Sequence, residues 1–194
     1  MSLTPSSIRE ALKTLGAILE DRNLHYEIVV IGGGALQLIG LITRPTKDLD
    51  VVALAGAESL TSASPLPAPL VQAVEDVARA LELELDWLNP GPTDLLDLGL
   101  PRGFEGRTTS EAFGTLTVHY AAREDQIAFK LYAAADHWPH QGKHWQDLQA
   151  LAPSPEQLRS AARWCMSHDP SPGFADMLLR PLLTALGVDE VPDG

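Results

Sequence analysis

Apolar positions return along the first part of the chain in two rhythms. Over Pro5–Asp21 they stand at Ile8, Leu12, Leu15, Ile18 and Leu19, the three- and four-residue steps of one helix face. Ser6 or Ser7 can cap that helix. Over Tyr26–Ile31 the run YEIVVI is short, continuous and rich in β-branched residues, which predicts a buried strand. It leads into Gly32, Gly33 and Gly34, after which residues 35–41 predict a short helix stopped by Arg44-Pro45. KDLDVVAL, residues 47–54, predicts a second strand. A loop rich in Ala, Ser and Pro follows over residues 56–69, then a helix over residues 70–81. The alternation in LELDWL, residues 83–88, predicts a third strand. Residues 89–106, rich in Gly and Pro, predict a connection with one helical turn at Asp94–Leu98, and Leu116–Tyr120 predicts a fourth strand.

After Ala122 every pattern is helical, in segments near residues 124–135, 143–151, 155–167 and 173–186, with Pro153, Pro155, Pro170 and Pro172 at the breaks. Mixed strands and helices followed by helices alone predict an α+β fold. Residues 1–122 would form a small mixed sheet flanked by helices, and residues 123–194 a helical subdomain packed on it.

Composition narrows the partners. The 194 residues are 45% hydrophobic, enough for a core, and carry a formal net charge of -12. That acidity argues against broad, charge-driven binding to DNA or RNA, and leaves room for a nucleotide held through a metal. The single cysteine, Cys165, excludes an intrachain disulfide and a cysteine-based zinc site, and its surroundings predict a small apolar helix residue. No apolar run nears the roughly 20 residues that span a bilayer, and the first residues lack a signal-peptide core, so a soluble cytoplasmic protein is expected.

The densest chemical signal is IGGGALQLIGLITRPTKDLDVV, residues 31–52. Glycines between a strand and a helix let the backbone approach a ligand, and a helix start offers unpaired N–H groups to phosphate. Neither of two familiar glycine motifs is present: the dinucleotide pattern fails at Gln37, and no Gly-Lys-Ser/Thr closes a P-loop. Asp48 and Asp50 stand two apart on a predicted strand, so their side chains share a face while Leu49 and Val51 turn to the core. Adjacent carboxylates repel unless a cation neutralises them. Mg²⁺, or Mn²⁺ in its place, takes such carboxylates together with substrate phosphates.

With these parts in place the chain resembles the nucleotidyltransferase superfamily, whose signature is a Gly-Gly or Gly-Ser turn followed by an acidic-hydrophobic-acidic strand. More closely, Arg44-Pro45-Thr46-Lys47-Asp48-Leu49-Asp50 resembles the R-x-T-x-D-hydrophobic-D segment of toxin-like nucleotidyltransferases related to the AbiEii abortive-infection family. Trp87-Leu88-Asn89 is similar to a segment of uncharacterised bacterial nucleotidyltransferase-like proteins. The resemblance is specific over residues 30–52 and looser over 120–150.

It implies transfer of a nucleotidyl group from an NTP to an acceptor that is RNA, a protein side chain or a small molecule. Asp48 and Asp50 would hold the metal, and Gly33, Gly34, Arg44, Thr46 and Lys47 would meet the nucleotide. A third metal carboxylate is expected from a neighbouring strand, with Asp86 the candidate and Glu84 on the same face; the fourth strand, LTVHY, has no acid. The family's downstream lysine helix and basic-x-x-Asp-Leu helix point to Lys130 and Asp147 as further catalytic residues. A toxin-like role would bring an antitoxin-like protein partner. The competing reading is a catalytically degenerate module that binds nucleotide or protein. His137, His140 and His144 do not make a zinc motif, because Pro139 and Gly142 interrupt the segment. Trp138 and Trp145 suit packing better than base stacking.

Overall fold

The computed structural model describes residues 2–57 and 59–188. Position 58, inside the loop expected over residues 56–69, lies outside the described residues. The chain divides into two compact units, one running up to Leu100 with Glu105–Ala121, the other comprising Pro101–Phe104 with the chain from Ala122 onward. Among the described residues no helix is long and apolar enough to cross a membrane.

The first unit is a mixed sheet with helices. Helix α1 spans Pro5–Asp21 as its apolar rhythm requires. Its cap is Thr4 rather than Ser6 or Ser7: Thr4 accepts from the Ser7 N–H, and Ser7 accepts from the Thr4 N–H in return. Strand β1, Tyr26–Ile31, runs straight into α2, Gly32–Leu38. The three glycines are therefore the first turn of a helix, three residues ahead of the expected start.

Strand β2, Leu49–Ala55, lies antiparallel to β1. The pairing shifts between Val29 and Val30, leaving Val52 as an extra residue, and the hydroxyl of Thr93 reaches the Val51 and Val52 carbonyls at 3.5 and 3.3 Å. Strand β3 is Leu60–Thr61, and helix α3 is Ala68–Leu81.

The third strand expected over residues 83–88 is not there; only β4, Leu88–Asn89, pairs with β2. Helix α3 closes at Glu82 in a left-handed conformation, the Leu83 N–H returns to Ala78, and the Trp87 N–H returns to Glu84, so the chain turns instead of extending. Glu84, Leu85 and Asp86 are exposed on that turn. The alternation of LELDWL reflects its two apolar anchors: fully buried Trp87, which donates to the Val74 carbonyl at 3.1 Å, and Leu88.

A short helix α4, Asp94–Leu98, stands where the turn was expected. Strands β5, Thr109–Phe113, and β6, Leu116–Tyr120, form a hairpin. The order across the sheet is β3-β2-β1-β6-β5, with β4 on β2. Strand β5 has no legible pattern because it is an edge strand, mostly exposed. One core gathers Ile8, Leu12 and Leu15 of α1, Leu70, Val74 and Val77 of α3, and Ile28, Val30, Leu49, Val51, Leu116 and Val118 of the sheet. Each such side chain contributes about 1.5–3 kcal/mol on burial. The rigid result is a central β1–β2 pair whose leading end carries the aspartates.

The second unit is helical: α5 Arg123–Asp136, α6 Lys143–Leu151, α7 Pro155–His168, a π-helical stretch Gly173–Leu179, and α8 Arg180–Ala185. Arg123 donates to the Leu151 and Ala152 carbonyls at the end of α6. Phe129, Tyr132 and Trp164 meet edge to face. Cys165 is fully buried, and burial pushes its thiol pKa up, as an inert core residue requires.

Candidate active site

The strand expected from residue 47 begins at Leu49, so Asp48 precedes it; alternation along β2 sends Leu49 and Val51 into the core, fully buried, and leaves Asp50 half-buried, as Asp48 is. Asp50 pairs across the sheet with Ile31 on one side and Asn89 on the other. Its carboxylate lies against Gly32, the first residue of α2; a Cβ at Gly32 would collide with Oδ2. Gly32 also has φ +77°, a conformation that favours glycine.

The next two glycines face the segment that leads into β2. A Cβ on Gly33 would stand 3.1 Å from both the Arg44 guanidinium and the Thr46 hydroxyl. Gly34 packs on the strand itself: a Cβ there would come within 2.8 Å of the Asp48 carbonyl and the Leu49 side chain. The glycine run thus brings the first turn of α2 against three parts of one segment, namely Asp50, the Arg44–Thr46 pair and the backbone of Asp48. The Thr46 hydroxyl donates to Asp48 Oδ1 at 3.4 Å. Arg44 also donates to the Pro45 carbonyl at 3.2 Å.

The structure therefore gathers Asp48, Asp50, Gly33, Gly34, Arg44 and Thr46 in one place. Lys47 is exposed beside them and lines a pocket of about 390 Å³ with Ser2, Asp48, Glu84 and Asp86. Asp86 sits on the turn before β4, on the Asp48 side of the site, and not on a strand. The ladder neighbour of Asp50 is Asn89, whose side chain is engaged with the Asp86 carbonyl and the Gly91 N–H.

Two residues that hold this arrangement were not singled out as part of the site from sequence. Leu3 is buried and makes a two-way backbone bridge with Thr46, and Gln37 of α2 is buried beneath the same loop. Gln37 carries the signal of a polar residue inside a short apolar helix; Leu3 carries none.

Lys130 and Asp147 belong to the helical unit, where they form a buried ion pair between α5 and α6, Nζ to Oδ2 2.8 Å, with side chains 6% and 1% exposed. His144 stands near that pair. Burial, then the charges of Lys130 and Lys143, lower its imidazole pKa to about 4. His137 and His144 stack at 5.4 Å, and Trp138 and Trp145 pack together at 5.8 Å.

The donors at the aspartate site are all oxygens: two carboxylates and the Thr46 hydroxyl. That set fits a hard cation such as Mg²⁺ or Mn²⁺. Among the described residues no three His, Cys, Asp or Glu side chains gather to form a complete metal cage. Mg²⁺ commonly binds through one or two carboxylates, with water and substrate phosphates completing its shell.

A mixed sheet with a glycine turn packed on an Asp-hydrophobic-Asp strand is consistent with the nucleotidyltransferase-like fold. The chain belongs to the family described as nucleotidyltransferase of unknown function (DUF6036), whose model matches residues 7–137. The matched stretch contains the sheet and Lys130 and stops short of Asp147. No curated protein and no solved structure matches the chain.

Proposed function

We propose that this protein is a metal-dependent nucleotidyltransferase that moves a nucleotidyl group from an NTP to an acceptor hydroxyl, with pyrophosphate as the leaving group. One observation carries the reading: the Asp50 carboxylate and the Asp48 backbone abut the glycine-built first turn of α2, and the Arg44 guanidinium meets the same turn at Gly33. Asp48 and Asp50 would hold Mg²⁺ or Mn²⁺, and the bound cation would supply Lewis-acid stabilisation of phosphate charge. Arg44 would offset negative charge on the nucleotide, and Gly33 and Gly34 let the first turn of α2 pack closely on the Arg44–Thr46 loop and on β2.

The pocket beside Asp48 would receive the acceptor. Its lining of Asp48, Glu84 and Asp86 against one lysine suits a neutral or cationic acceptor better than a phosphodiester backbone. A toxin-like role, with an antitoxin-like protein partner, is supported by the Arg44–Asp50 motif alone. The part proposed for Lys130 and Asp147 begins with their pairing, which fixes α5 to α6.

A second reading, a nucleotide-binding or protein-interaction module without turnover, is favoured by Asn89 opposite Asp50 and by the absence of an acid from β6. Incubating the protein with labelled NTPs and Mg²⁺, against total RNA and cell lysate, separates the two. Label transfer that Asp50→Ala abolishes supports the enzyme; nucleotide binding without transfer supports the module.

A further inference from the structure

Gln37 is 2% exposed on a seven-residue helix that is otherwise glycine and apolar residues. Its side-chain amide donates to the Arg44 carbonyl, and at 3.5 Å to the Leu3 carbonyl. Its own oxygen, Oε1, is buried with no hydrogen-bond partner among the described residues. A buried acceptor left unpaired is destabilising, so an apolar side chain of similar size would serve the core better. What Gln37 provides is attachment of the loop.

Leu3 completes that attachment. It is 2% exposed, its N–H donates to the Thr46 carbonyl at 2.6 Å, and the Thr46 N–H donates back at 3.2 Å. Thr46 is buried in turn, and its hydroxyl donates to Asp48 Oδ1. A continuous route of hydrogen bonds therefore runs from Gln37 through Leu3 to Thr46 and on to the carboxylate of Asp48, and Gln37 also anchors the loop directly at the Arg44 carbonyl.

We infer that Gln37 is a positioning residue, which with Leu3 fastens the Arg44–Thr46 loop so that Thr46 orients Asp48 for a metal–nucleotide complex. The inference rests on the nucleotidyltransferase reading. Gln37 touches neither metal nor nucleotide and acts only through the loop. The segment at Leu3 is then a wall of the site, which agrees with Ser2 lining the pocket at Asp48.

The test combines calorimetric titration with Mn²⁺ and ATP and amide hydrogen exchange on the full chain. Gln37→Met keeps the volume and removes both donations; Thr46→Val removes the hydroxyl and keeps the backbone bridge. Each is expected to weaken Mn²⁺–ATP binding by roughly tenfold. Because both act on one route, the double variant should also be about tenfold weaker, not about a hundredfold. Gln37→Met should speed amide exchange at Thr46 while its melting temperature stays within a few degrees. A folded Gln37→Met with parental affinity, or losses that multiply in the double variant, overturns the inference. Should Gln37→Met fail to fold, the parent decides: the Leu3 and Thr46 amides must exchange slowly and together, and independent, fast exchange overturns the strap. A parent that binds no Mn²⁺–ATP overturns the nucleotidyltransferase reading itself, a result distinct from a parent that binds and variants that match it.

Discussion

The carboxylate of Asp50 occupies the space that a side chain on Gly32 would need. Gly32 is therefore fixed twice, by its φ of +77° and by this contact. An alanine there would meet a left-handed backbone penalty of about 1–2 kcal/mol and would push Asp50 aside. Gly32→Ala is expected to lower the melting temperature and to weaken Mn²⁺–ATP binding together. Calorimetry and thermal unfolding check this; a stable Gly32→Ala protein with parental affinity would show that Asp50 is not held by the glycine turn.

Lys130 and Asp147 form a buried pair, and removing one partner of such a pair typically costs about 3–5 kcal/mol because a charge is left unpaired. From sequence alone, Lys130→Ala is expected to leave stability nearly unchanged; the pairing reverses that expectation. Lys130→Ala and Asp147→Ala should each destabilise strongly, and Lys130→Met with Asp147→Leu should recover much of the loss. Denaturant midpoints measure it. Single variants that unfold like the parent would mean the ion pair is not formed in solution.

His144 gives a pH signature. Its imidazole, held near 4 by burial and by the charges of Lys130, Lys143 and His137 against the opposing pull of Asp147, stays neutral in the folded protein while the unfolded chain takes its proton near 6.5. Between those values the unfolded state binds more protons, so stability falls as pH drops from 6.5 towards 4. Burial lowers His168 as well, which acts in the same direction. His144→Gln should flatten the dependence of the urea midpoint over that range. A midpoint slope identical to the parent's would mean that His144 is solvated and titrates normally.

How far the sequence could be read depended on whether periodicity or neighbours set the local structure. The α1 pattern, the β1 run and the Asp48-Leu49-Asp50 alternation are local signals of burial, and the structure follows them. LELDWL misled because alternation reports two buried side chains and not the partner strand that extended backbone needs. Strand β5 went unseen for the converse reason: its partner β6 holds it in the sheet while its own side chains face solvent. The pairing of the aspartate strand with the glycine turn was legible, since both lie in one short motif. The parts played by Leu3 and Gln37 were not, because a backbone bridge leaves no residue signature and an amide under a loop is recognisable only once the loop is placed.

The central claim is that Asp48 and Asp50 form the metal–nucleotide site, and transfer of label from NTP tests it most directly. Asn at either position keeps the shape and removes one charge from a half-buried position outside the core, so the protein should still fold. Label transfer to a macromolecular or small-molecule acceptor should depend on Mg²⁺ or Mn²⁺ and fall roughly 100-fold or more in Asp48→Asn and in Asp50→Asn, with melting temperatures within a few degrees of the parent's. Undiminished, metal-dependent transfer by the Asp48→Asn/Asp50→Asn double variant would contradict the account and place the chemistry elsewhere in the molecule.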